Sequence, residues 1–130
     1  MVEFKILRST YDLEKDPKIY YLLLFNVRGN FFNGPLGYIS LYREAVEEDD
    51  EKSSKKFLKK YEEYTKTVKA RFTLFMDDLF EILEEEQVKG ELLTLIKLLR
   101  SKANFDWNDM VKFEKFDREF ERIINNIKKL

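Results

Sequence analysis

The sequence has no cysteine and no histidine. The first absence excludes disulfides, thiolate chemistry and every cysteine-based metal site. The second removes the usual general base near neutral pH and the commonest zinc ligand. Catalysis would fall to Asp, Glu, Lys, Tyr or Arg, and the expectation is a chain with no catalytic centre, no cofactor and no metal. The longest apolar run, Ile19 to Phe25, is far short of the ~20 residues that span a bilayer. A net charge of −1 offers no global attraction to nucleic acid or to an acidic membrane. The first residues lack the basic, apolar, small-residue order of a signal peptide. A soluble, cytoplasmic protein with no membrane partner is therefore expected.

Glycine and proline are scarce as well, at four and two residues. Three of the Gly and one Pro fall between Gly29 and Gly37, so that stretch reads as the main punctuation. It divides a single domain, 1–130, into an N-terminal part, 1–46, and a helical part, 52–130. Val2, Phe4 and Ile6 alternate as a short strand would. Asp16-Pro17 reads as a helix entry, with Asp as N-cap and Pro at the first helical position. Lys18 to Arg28 then reads as a helix capped by Gly29. A central strand is the alternative, with Leu36 to Arg43 as its hairpin partner. Arg28 to Pro35 reads as a loop, and Pro35 as the start of another helix.

What is abundant is charge, at 38% of residues, and aromatic side chains, with twelve Phe and seven Tyr. High Lys and Glu, one Gln and no Cys form a thermophile-like composition. The spacing predicts one long helix over about 52–87, with Phe57, Tyr61, Tyr64, Val68, Phe72, Phe75, Leu79 and Ile82 on one face. At 1.5 Å per residue it runs ~50 Å, more than a small domain's width. Val88 to Leu99 predicts a shorter helix. Asp106 predicts the cap of a last one, where Phe113, Phe116, Phe120, Ile123, Ile127 and Leu130 repeat as a coiled-coil seam. The two final helices should fold back along the long one. The fold class expected is mainly α, a helical bundle on the long helix, with a short N-terminal strand or hairpin as the α+β alternative. Phe72, Phe75, Leu79, Phe116, Phe120 and Ile123 should form the core.

The long helix is charge-blocked. Lys52, Lys55, Lys56, Lys59, Lys60, Lys66, Lys69 and Arg71 face only Glu62 and Glu63 in its first half. Its second half carries Asp77, Asp78, Glu81, Glu84, Glu85 and Glu86 and no base. Such a helix can lie antiparallel to a copy of itself, as a homodimer. The function expected is therefore a small non-catalytic protein–protein interaction or assembly subunit, binding itself or a larger complex. Its interface residues are Phe57, Tyr61 and Tyr64, toward the end of the long helix that should outrun its neighbours. Arg28, Phe31 and Phe32 add a loop anchor. The competing reading is a nucleic-acid-binding accessory protein using the Lys52–Arg71 cluster. Against it, Arg is scarce there and acids interrupt the row. A third reading is a metal-dependent phosphohydrolase using the helix carboxylates. Glu62-Glu63 and Asp77-Asp78 lie on one helix, however, too far apart to converge.

Overall fold

The computed structural model describes residues 16–130, all helices and connections. Four helices follow in order: α1, Pro17–Glu47; α2, Glu51–Glu85; α3, Glu91–Lys102; and α4, Met110–Lys128. Among the described residues there is no strand, so the fold is mainly α and the strand-and-hairpin alternative for residues 18–43 is not borne out. The strand expected at Val2 to Ile6 lies outside the described residues.

α1 departs most from the sequence-based expectation. It is one helix of 31 residues, running through Gly29, Gly34, Pro35 and Gly37. Asp16 caps it as expected, its carboxylate accepting from the Lys18 N–H at 3.0 Å. The expected loop Arg28–Pro35 is helical, and Gly29 caps nothing. An interior proline removes one N–H and crowds the preceding turn, at about 3 kcal/mol. Burial on both sides of it offsets that cost: Phe32, Pro35 and Ile39 are all buried. Gly34 eases the step before the proline, where a Cβ would clash with the ring. It also seats a neighbour. A Cβ at Gly34 would stand 2.4 Å from Cε1 of Tyr64, so the ring of α2 rests directly on the α1 backbone.

α1 and α2 join through a short turn in which Asp49 takes a positive φ of 55°. Asp50 caps α2, accepting from the Ser53 N–H at 3.0 Å; hydrogen bonding from the Ser53 side chain first, and from its N–H second, holds the carboxyl below the ordinary carboxylate range. The pairs Tyr38–Tyr64 and Phe32–Phe72 set α1 and α2 antiparallel. α1 also packs on α4, and α3 on α4. The first half of α2 is therefore not left over, as its length suggests; the second half of α1 covers it. α3 starts at Gly90, whose φ of 78° suits glycine. Asp109, not Asp106, caps α4, accepting from the N–H groups of Val111 and Lys112 at 3.0 and 3.2 Å.

The core is aromatic. Phe32 is completely enclosed, and its ring lies within 5.1–6.1 Å of Phe72, Trp107, Phe113, Phe116 and Phe120. All six residues expected in the core are buried. Leu130, at the end of the expected α4 seam, is exposed.

Tyr61 is the polar member of this core. Fully buried, it donates its hydroxyl proton to the Trp107 carbonyl at 2.6 Å. Burial raises the phenol's pKa far above the ordinary tyrosine value. The Thr65 hydroxyl opposes part of that rise, although it meets no partner at full hydrogen-bond geometry. Tyr61→Phe should lose about 1–2 kcal/mol at neutral pH, because the Trp107 carbonyl loses its donor. The pH dependence follows from the raised pKa. Below the unfolded value near 10, both states hold the proton and the full contribution is present. As pH rises above that value, only the unfolded chain ionises, and the contribution falls. Denaturant titrations of wild type and Tyr61→Phe should therefore converge above pH 10. A gap that stays constant would contradict a neutral, buried phenol.

Candidate interaction surface

The residues singled out by sequence divide cleanly. Lys52, Lys55, Lys56, Lys59, Lys60, Lys66, Lys69 and Arg71 are all exposed, along the outward side of α2. Lys55 pairs with Glu51 one turn away at 3.2 Å. Glu62 and Glu63 are exposed among them. Phe57 is half-buried. Tyr64 is 42% exposed, but its ring is occupied by Gly34 and by an edge-on contact with Tyr38. Tyr61 is interior and unavailable to a partner.

The expected loop anchors have other work in the helix. Phe32 is the centre of the core and Phe31 is packed against it. Arg28 forms a two-pronged ion pair with Asp117 of α4, at 2.8 Å from Nε to Oδ1 and 2.9 Å from Nη2 to Oδ2. It adds Glu121 at 3.2 Å. Asp117's hydrogen bond chiefly raises the guanidinium pKa, against the opposing effect of burial. Arg43 makes a second two-pronged pair, with Glu114. Two arginines of α1 thus clamp α4 in place.

The acidic half of α2 lines a groove of about 780 Å³ against α3, with Asp77, Glu81 and Glu84 on one wall and Lys97 and Arg100 on the other. Asp77 faces Arg100 at 3.5 Å, and Arg100 also covers the Phe80 ring at 4.6 Å. Among the described residues, no three acidic side chains converge as a metal site would require.

One surface escaped the sequence reading. From Ile19 to Tyr42 the only charged residue is Arg28, and Arg28 is turned inward to Asp117. The outward side of α1 therefore carries no charge over about six turns, in a chain where 38% of residues are charged. Leu22, Phe25 and Leu41 stand on it, 44%, 51% and 40% exposed. Asn30, Asn33, Gly37 and Ser40 fill the space between, all exposed. The signal was present as a charge-free run, but it is masked by Gly and Pro when read as a loop. Among the described residues no helix is long and apolar enough to cross a membrane, so this face is not part of a helical span. Comparison with protein-family models, with curated proteins and with solved structures finds no match to this chain.

Proposed function

We propose that this chain is a non-catalytic protein-binding subunit whose contact surface is the outward side of α1. The observation that carries the reading is the charge-free face with Leu22, Phe25 and Leu41 exposed on it. Interface centres are depleted of charge and built on apolar anchors, while ordinary helix exteriors are charged. The lysine-bearing side of α2 follows the ordinary rule, as a row of Lys and Glu. The short Asn, Ser and Gly side chains on the face suit the close approach of another helix.

Affinity capture with the intact chain tests this. Wild type should retain a protein partner, and Leu22→Glu and Phe25→Glu should each lose it while melting as wild type does. Equal capture by all three would overturn the reading. The exposed lysines of α2 support a second reading, contact with nucleic-acid phosphates. On that reading DNA or RNA should be retarded at low salt, and charge reversal at Lys56, Lys59 and Lys60 should abolish the shift. We expect no such shift.

A further inference from the structure

Resting on that reading, we infer that the partner on α1 is an acidic protein segment, whose carboxylates reach beyond α1 to a row of cations on the outward side of α4. Lys115, Arg118, Arg122 and Lys129 are all exposed and recur at spacings of three, four and seven, so they share one side of the helix. The row is roughly 21 Å long at 1.5 Å per residue. Acids stand within one turn of it in sequence. Glu114 lies four residues before Arg118 and Glu121 three after, spacings at which a helix can pair them. The fold draws these acids away. Glu114 meets Arg43, Asp117 and Glu121 meet Arg28, and Glu119 lies 3.9 Å from Lys102. Every acid of α4 is thus engaged with α1 or with α3. Among the described residues, none of the four cations in the row makes an ion pair. The lysine side of α2 differs, since Lys55 pairs with Glu51, and Glu62 and Glu63 interrupt it.

The row borders the charge-free face. α1 and α4 pack side by side and run antiparallel. Tyr21 lies under the Lys128 ammonium, 5.3 Å from ring centroid to nitrogen, Arg28 holds Asp117, and Arg43 holds Glu114. The row from Lys129 to Lys115 therefore runs abreast of α1 from its first turns to beyond Arg28. Phe25 belongs to this edge, since its ring lies 5.9 Å from that of Tyr21. A partner that covers Leu22 and Phe25 brings its flank over the row. Guanidinium forks match carboxylates in geometry as well as in charge. A protein segment with an apolar stripe and acids along one edge meets both surfaces at once. The phosphates of a nucleic acid would meet the row but leave Leu22, Phe25 and Leu41 uncovered. Exposed charges are screened by salt, so the row sets orientation and association rate more than strength.

Photo-crosslinking from the full chain in the cells that make it, with mass spectrometry of the attached peptides, tests the inference. Asn125 is exposed on α4 between Arg122 and Lys129. A photoreactive residue in its place should attach to the same protein as one in place of Asn33, through a peptide rich in Asp and Glu. With that protein purified, Arg118→Glu combined with Arg122→Glu should weaken binding at least about tenfold, mostly by slower association, and should flatten its salt dependence. Arg118→Lys with Arg122→Lys keeps the charge and should retain most of the affinity. Both pairs of substitutions are on exposed side chains, so melting should stay near wild type. Three outcomes at position 125 would overturn the inference while position 33 still attaches to a protein: a neutral or basic peptide, a nucleic-acid adduct, or no adduct. Full binding by the charge-reversed variant would overturn it too. In each case the reading of α1 stands. No protein adduct from either position would overturn both.

Discussion

Phe32→Ala should destabilise the fold by about 3–5 kcal/mol, the largest loss expected from a single truncation here. The ring is wholly enclosed and touches five other aromatic rings, drawn from α2, α4 and the segment before α4. Removing it takes away the transfer free energy of the ring and leaves a void. Large, rigid neighbours such as Phe72, Trp107 and Phe116 cannot collapse into that void without leaving their rotamers. Edge-to-face geometry adds to the loss. Phe120 meets Phe32 at 89° with centroids 5.4 Å apart, and such pairs contribute about 0.5–1.5 kcal/mol beyond burial. Denaturant unfolding would show the effect as a lower midpoint with an unchanged slope. A loss below about 1 kcal/mol would mean that the ring is not central to the core. Phe25→Ala serves as the control. It sits on the same helix but is half exposed, and in the dilute chain it should change stability little.

Asp117→Ala should cost about 2–3 kcal/mol, the second large effect. It leaves Arg28 without its principal partner between α1 and α4. Breaking a fully buried pair costs about 3–5 kcal/mol. Arg28 is 23% exposed and can turn toward Glu121 and water, so the expected loss is smaller. Asp117→Asn should lose less, since it keeps the shape and one acceptor. The double variant Arg28→Met with Asp117→Leu should recover most of the stability, because paired apolar residues avoid the desolvation of both ions. A double-mutant cycle on Arg28 and Asp117 measures the coupling directly. No coupling would place the ion pair outside the forces that hold α1 to α4.

How much of this was readable in the sequence varies by helix. α2 and α4 carry apolar residues at spacings of four and three, and local periodicity alone placed Phe72, Phe75, Leu79, Phe116, Phe120 and Ile123 in the core. α1 was not readable in the same way. Gly34 and Pro35 oppose a helix locally, and what overrides them is distant in sequence: the Tyr64 ring seated on Gly34, and the aromatic cluster around Phe32. Arg28 and Asp117 stand 89 positions apart, and no local pattern joins them. The continuity of α1 also decides the candidate surface. An α1 broken at Gly29 to Pro35 would leave the first half of α2 uncovered and Tyr61 free for a partner. One continuous α1 covers that half and turns Tyr61 inward. It also presents the charge-free face on its own far side.

Site-specific photo-crosslinking from the intact chain, in the cells that make it, tests the functional account most directly. A photoreactive residue in place of Asn33 reports on the outward side of α1. One in place of Lys59 reports on the basic side of α2. The account predicts a discrete protein adduct from position 33, lost when Phe25→Glu is added, and none from position 59. Adducts from position 59 alone, whether to protein or to nucleic acid, would contradict it.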